Sequence, residues 1–139
     1  MASVTRQTHI NVPPEQAWAA LRDFGAVHDR LAAGFVVSCD LDDDGTRLLT
    51  FDNGAVAREA LVGIDEEGRR LAYTLVETRL DITHHNGSAL VLEEGDGTRF
   101  VWSTDVLPDD AATVIGEMMD RGIDAIRRTL EAAAVPAAG

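Results

Sequence analysis

The C-terminal segment, residues 109–134, constrains the fold more than any other part of the chain. Its apolar residues recur at three- and four-residue steps, which is the spacing of one continuous stripe on an α-helix. The opposite face is charged, with Glu117 and Arg121, and then Asp124 and Arg128, at the i,i+4 spacing that favours ion pairs. Such a helix is roughly 35 Å long. It can cross a small domain, and we expect the rest of the chain to supply the surface on which it lies.

The hydrophobic period changes to two from residue 35 onwards. Segments that alternate between apolar and polar residues are separated by acidic and glycine-rich turns, a pattern typical of an antiparallel meander. An earlier alternating segment, residues 3–12, precedes two short helical segments that end by about residue 33. The six later strands are predicted over residues 35–41, 47–52, 55–64, 70–78, 84–93 and 99–107. The sequence therefore predicts an α+β fold, a seven-stranded sheet whose apolar face is covered by the last helix.

Length and composition limit the class of protein and the partners it can have. A chain of 139 residues, 45% of them hydrophobic, suits one domain spanning residues 1–139. We find no run of about 18 apolar residues and no signal-peptide core, so we expect no membrane insertion and a cytoplasmic location. The net charge of −12 disfavours nucleic acid and anionic membranes as partners. Cys39 is the only cysteine, which excludes an intramolecular disulfide.

Three stretches of the chain carry a family resemblance. They are the strand-to-helix entry at residues 12–18, the hairpin sequence at 59–71, and Thr98-Arg99-Phe100-Val101-Trp102. They resemble the START/Bet v 1-like (SRPBCC) superfamily, in particular its polyketide cyclase/dehydrase-like branch and, more distantly, the plant abscisic-acid receptors. The resemblance implies a helix-grip fold, in which a curved seven-stranded antiparallel sheet wraps around a long C-terminal helix, with two short helices after the first strand. A sheet curved over one helix leaves a gap between them, and that gap is the expected ligand site.

Alternation along each strand indicates which side chains face this gap. Leu71, Tyr73 and Leu75 define the inward set of one strand, and Leu90 and Leu92 define that of the next. The polar and aromatic side chains that this rule places inward are Tyr73, Glu77, His84, Asn86, Ser88 and Trp102.

The strand at residues 55–64 is ambiguous, because its periodicity allows either Arg58 or Glu59 to face the gap. The family resemblance favours Glu59, since the matching residue in receptor-like members faces the ligand. A buried ionised carboxylate costs several kcal/mol unless it has a partner, water or a raised pKa. One expected solution, for Glu59 and for Glu77 alike, is an ion pair with Arg58, Arg79 or Arg121.

The other expected solution is catalytic. A glutamate with a raised pKa beside a cavity suits a general acid or base, and a histidine or tyrosine nearby can exchange protons with it. The candidate catalytic residues are therefore Glu59 with His84 or Tyr73, and no cofactor is required. His84 and His85 look like a metal-binding pair, but adjacent strand residues point to opposite faces, so we expect no metal site.

The candidate ligand-binding residues combine the strands and the long helix. They are Glu59, Tyr73, Glu77, Asn86, Ser88, Trp102, Met118 and Gly122. Gly122 costs about 1 kcal/mol relative to alanine inside a helix, so its presence needs a reason. Either it leaves room for a ligand one turn after Met118, or Trp102 or a strand packs against its bare backbone.

Three functions are compatible with these patterns. The first is binding of a small hydrophobic or aromatic molecule, in its enzymatic form a cofactor-independent polyketide cyclase or dehydratase. The second is a non-catalytic carrier or sensor, similar to lipid-transfer proteins or hormone receptors, whose loops near residues 53–54 and 79–80 close over the ligand. The third is a structural or interaction module with a collapsed core, which a continuous cavity of about 300 Å³ or more would contradict. Both a monomer and a homodimer remain open.

Overall fold

The computed structural model describes residues 1–134. Within that range the strands β1 to β7 span Ala2–Ile10, Val36–Leu41, Thr46–Phe51, Val56–Asp65, Arg70–Thr78, His84–Glu94 and Gly97–Leu107. The helices are α1 (Pro14–Arg22), α2 (the π-helical turn Val27–Leu31) and α3 (Ala111–Ala132). The seven strands form one sheet in the order β1-β7-β6-β5-β4-β3-β2, each antiparallel to its neighbours. The predicted helix-grip fold is confirmed; the last five residues of the predicted domain 1–139 lie outside the described residues.

The long helix α3 lies on the sheet through its apolar stripe. Ile115 and Met119 pack against Val4 of β1 and Val106 of β7, and Leu130, which is 1% exposed, belongs to the main core. Full burial of each such side chain contributes about 1.5–3 kcal/mol. The helix is thus held along its length by one face. No helix within residues 1–134 combines the length and the hydropathy needed to cross a bilayer.

The two short helices complete the core after the first strand. Pro14 occupies the first position of α1, where its fixed φ is compatible with a helix and its missing N–H is not needed. Trp18 and Leu21 of α1 are buried, as are Val27 and Leu31 of α2. These side chains join the main core cluster between the sheet and α3.

Irregular pairing on both sides of β5 shapes the middle of the sheet. Arg58 pairs with Glu77 but Glu59 pairs with Leu75, so Val76 is an extra residue in β5. On the other side, β5 pairs with β6 only from Arg70 to Tyr73. The two strands separate beyond that point, where a surface groove of about 580 Å³ opens. A bulge bends a strand and changes which face its later side chains occupy.

Candidate functional site

A cavity of about 410 Å³ lies between the sheet and α3. Apolar side chains form most of its wall, among them Leu49 and Phe51 of β3 and Met118 and Ile126 of α3. The polar and aromatic groups that line its interior are Arg47, Glu59, Tyr73, His85, Trp102 and Thr104. Small-molecule sites typically measure about 300–1,000 Å³. The volume contradicts the hypothesis of a collapsed core.

A buried ion pair joins β3 to β4 at the polar part of this cavity. Arg47 and Glu59 are cross-strand neighbours and are 6% and 7% exposed. Nε and Nη2 of Arg47 donate hydrogen bonds to Oε1 of Glu59, at 2.9 and 2.7 Å. Nη1 of Arg47 donates to the carbonyl oxygen of Phe24 at 3.2 Å, and the guanidinium carbon lies 3.9 Å from the centroid of the Phe24 ring. The guanidinium is therefore fixed from three directions.

The geometry of the pair leaves one carboxylate oxygen available. Both hydrogen bonds from Arg47 end on Oε1, and among the described residues no donor is bonded to Oε2 of Glu59. That oxygen is nevertheless not sealed inside protein, because the one fully buried side-chain atom without a partner in residues 1–134 is Nδ1 of His28. Since Glu59 lines the cavity, Oε2 is open to whatever occupies it.

Tyr73 supplies a neutral hydroxyl to the same region. The indole Nε1–H of Trp102 donates to the hydroxyl oxygen of Tyr73 at 2.8 Å, so the phenolic proton is left to serve another acceptor. Burial, and secondly the negative charge of Glu59, raise the pKa of Tyr73 well above its usual value. Tyr73 is therefore a hydrogen-bond donor and not a phenolate at neutral pH.

His85 of β6 is hydrogen-bonded to β5 at the point where the two strands separate. Its Nδ1 accepts a hydrogen bond from the backbone N–H of Leu75 at 3.1 Å, and its carbonyl oxygen accepts one from the Thr74 hydroxyl at 2.6 Å. Burial, and secondly the charge of His84, lower the pKa of His85 to about 4. The imidazole is therefore neutral near pH 7, with its proton on Nε2.

The opening of the cavity is formed by two loops and the exposed face of α3. Asn53 comes from the β3–β4 turn, and Arg79 and Leu80 come from the loop after β5. Arg121 of α3 donates to Asp52 at 3.2 Å. The two loops expected to border the ligand site do lie at its rim, and whether they move remains a prediction.

Comparison with known proteins identifies the family of this chain. Residues 1–131 match the model of the family described as polyketide cyclase / dehydrase and lipid transport. The chain belongs to this family. Comparison with curated proteins finds no match.

Solved structures share the fold at low sequence identity. The XoxI protein from Bacillus cereus has a TM-score of 0.82 at 21% identity, covering 94% of this chain and 96% of that one. A START superfamily protein from Mycobacterium smegmatis has a TM-score of 0.70 at 15% identity, covering 94% of each chain. A point mutant of norcoclaurine synthase from Thalictrum flavum, in complex with a transition state analogue, has a TM-score of 0.69 at 19% identity, covering 93% of each. At these identities the three structures show a shared fold.

The choice between Arg58 and Glu59 is decided by the burial pattern of β4. Glu59 lines the cavity, whereas Arg58 lies on the other face, where it bonds to Asp42 and lies 3.5 Å from Glu77. The expected ion pair with Arg58, Arg79 or Arg121 is found for Glu77, whose Oε2 lies 3.5 Å from Nε of Arg58. For Glu59 the expectation is wrong, because Arg47, the cross-strand neighbour, is its partner.

The predicted inward set of β6 is wrong by one position. His84, Asn86 and Ser88 lie on the outer face, and the buried positions of the strand are instead His85, Gly87, Ala89 and Val91. The reason is the large ring of Tyr73, which leaves no room for a side chain: a Cβ at Gly87 would lie 2.4 Å from Cζ of Tyr73. The inner face of β6 therefore carries small residues, Gly87 and Ala89, in its middle, and its leucines lie on the outer face.

Glu77 also lies outside the cavity, contrary to expectation. The extra residue Val76 shifts the alternation of β5, so the Glu77 side chain is 75% exposed. The prediction treated β5 as regular, and a bulge leaves no mark in the alternation of apolar residues.

The structure brings the remaining candidates together. Glu59, Tyr73, Trp102, Met118 and Gly122 all line the cavity, and their roles in catalysis or binding remain predictions. A Cβ at Gly122 would lie 2.8 Å from Cζ3 of Trp102, which supports close packing as the reason for this glycine.

Sequence reasoning missed Arg47 and His85. Arg47 shares its strand face with Leu49 and Phe51, and this alternation could have revealed it, but an arginine at the start of a strand is usually exposed. His85 could have been identified only from the alternation along β6, and the leucines of that strand indicated the opposite face.

Proposed function

We propose that the protein binds a small hydrophobic or aromatic molecule in the cavity between the sheet and α3. The observation that carries this proposal is a mostly apolar cavity of about 410 Å³ with one buried polar group of Arg47, Glu59 and Tyr73. An apolar wall with a few convergent polar groups is the usual composition of a small-molecule site. The family description, polyketide cyclase / dehydrase and lipid transport, points to ligands of the same kind.

The enzymatic form of this function is a cofactor-independent polyketide cyclase or dehydratase. In it, Oε2 of Glu59 accepts a proton from the substrate, and the Tyr73 hydroxyl donates to an oxygen on which negative charge develops. Arg47 holds the carboxylate in place through Oε1 and is a positioning residue. His84 has no part in this scheme, because it lies on the outer face.

A non-catalytic carrier or sensor is the second candidate. The observation that favours it is the rim, where the segments containing Asn53 and Arg79 border the opening. Closing these two loops over a ligand would seal the cavity and present a changed surface to a partner. Such a protein would release its ligand chemically unchanged.

Native mass spectrometry of the purified protein tests the proposed binding directly. We expect an additional mass that disappears on denaturation and corresponds to a small apolar compound. Incubation of that compound with the wild type and with Glu59→Gln then separates the two candidates. An enzyme converts it and the variant binds without converting it, whereas a carrier leaves it unchanged in both. Failure to retain any apolar compound offered at millimolar concentration would contradict the proposed function.

A further inference from the structure

The charge balance inside the cavity selects among its ligands. Four buried titratable side chains line the cavity, namely Arg47, Glu59, Tyr73 and His85, whereas the other charged lining residues, Arg79, Glu117 and Arg121, are exposed. Tyr73 and His85 are neutral at pH 7 for the reasons given above. Arg47 and Glu59 carry opposite charges 2.7 Å apart and cancel each other. The deep part of the cavity therefore has no net charge to offer an ion.

The donors and acceptors that remain unpaired in the cavity also select among ligands. Arg47 has directed donors to Glu59 and to the Phe24 carbonyl, so its positive charge is already matched within the protein. The groups left open are one acceptor, Oε2 of Glu59, and two donors, the Tyr73 hydroxyl and the Nε2–H of His85. A hydroxyl group satisfies both kinds, because it donates one hydrogen bond and accepts others.

A carboxylate does not satisfy them. It has only acceptors, and it would place a second negative charge beside Oε2 of the buried Glu59. Like charges in such surroundings repel strongly, and unfavourable contacts of this kind exclude ligands effectively. The same arginine without Glu59 would attract a carboxylate through a bidentate contact.

From this arrangement we infer that Glu59 determines ligand specificity: the cavity accepts neutral apolar molecules with a hydroxyl at the buried end and rejects their carboxylate counterparts. This inference rests on the proposed function. It goes beyond it by assigning the polar chemistry of the ligand and the residue that selects it. It separates phenol- and alcohol-bearing ligands from fatty acids and other organic acids.

Three naphthalene ligands of nearly equal size test the inference by isothermal titration calorimetry at pH 7. 2-Naphthol is neutral and has a donor, 2-methoxynaphthalene is neutral without one, and 2-naphthoate is anionic. For the wild type we expect 2-naphthol to bind about tenfold more tightly than 2-methoxynaphthalene and at least tenfold more tightly than 2-naphthoate. Equal affinity for 2-naphthol and 2-naphthoate would overturn the inference, although binding itself would support the proposed function.

Glu59→Gln should remove most or all of the preference for 2-naphthol over 2-naphthoate. The glutamine oxygen still accepts from Arg47, but the arginine charge is no longer matched, so 2-naphthoate should gain at least tenfold in affinity. The variant Arg47→Met/Glu59→Gln removes both charges. Its ratio of affinities for 2-naphthol and 2-naphthoate should be that of an uncharged apolar cavity. Unchanged selectivity in folded Glu59→Gln would overturn the inference. If neither ligand binds the wild type, the proposed function fails, and the inference fails with it.

Discussion

At the scale of single residues, the polar part of the cavity depends on the pairing of Arg47 with Glu59. The family resemblance placed Glu59 in the gap where the alternation was ambiguous, but neither identified its partner. The partner is a cross-strand neighbour, and strand register decides which residues are neighbours. Register depends on turn geometry and on bulges, which the pattern of apolar residues does not contain.

The buried pair predicts a strong and non-additive effect on stability. Arg47→Met leaves a buried carboxylate without its partner, so we expect a loss of about 3 kcal/mol in the free energy of unfolding. Arg47→Met/Glu59→Gln should lose less than Arg47→Met alone, because no unmatched charge remains. Urea denaturation at pH 7 measures both.

Arg58→Met is the matched control for this cycle. Arg58 occupies the next position on the same strand as Glu59, but its partners Asp42 and Glu77 are solvent-accessible. Its loss should be about 1 kcal/mol or less. If Arg47→Met/Glu59→Gln loses as much stability as Arg47→Met and Glu59→Gln added together, the two residues are not energetically coupled.

Gly122 gives a second prediction at this scale. Alanine favours a helix by about 1 kcal/mol over glycine, but overpacking costs about 1–3 kcal/mol. The indole of Trp102, held by its bond to Tyr73, lies where the new Cβ would be, so Gly122→Ala should lower the free energy of unfolding by about 1 kcal/mol. Gly116→Ala on the same helix is the control, because its Cβ would make an ordinary contact with Val4 and would lie close only to the guanidinium of Arg6, at the half-exposed end of a flexible side chain. Thermal denaturation compares the two, and equal stabilisation of both would contradict the packing argument.

At the scale of elements, the sequence predicted each strand and the long helix within a few residues. Alternation and helical spacing are local properties, and they survive in a folded protein because burial imposes them. The failures occurred in β5 and β6, where a bulge at Val76 and small inward residues opposite Tyr73 break the simple relation between apolar residues and the inner face.

The seam between β5 and β6 predicts a pH dependence of stability. The pKa of folded His85 is about 4, below the usual value of about 6.5 that it regains on unfolding. Between these values the unfolded state binds more protons, so the free energy of unfolding falls as the pH is lowered from about 6.5 to about 4. We expect a loss on the order of 2 kcal/mol from this residue.

His85→Gln should flatten this dependence, because the amide oxygen can accept the bond from Leu75 without titrating. His84→Gln, on the exposed face of the same strand, should retain most of it. Urea denaturation at pH 4.5 and pH 7 measures the difference for each variant. An undiminished pH dependence in His85→Gln would show that other groups cause it.

At the scale of the whole molecule, the curved sheet and the long helix enclose more volume than their side chains fill. The order of elements predicted that gap, and the cavity of about 410 Å³ between the sheet and α3 is consistent with it. The composition of its lining was only partly predictable, since it depends on the faces of individual strands. Glu59, Tyr73 and Trp102 were identified from the sequence, whereas Arg47 and His85 were identified only from the structure.

Binding of a ligand in this cavity can be measured directly through the two tryptophans. Trp102 lines the cavity, whereas Trp18 lies outside it with its indole N–H bonded to Glu66 at 2.8 Å. A ¹H–¹⁵N spectrum shows one indole signal from each, and Trp18→Phe assigns them. On titration with 2-naphthol, we expect the Trp102 signal to shift in a saturable manner while the Trp18 signal stays in place. An unmoved Trp102 signal at saturating ligand, or equal shifts of both signals, would contradict binding in this cavity.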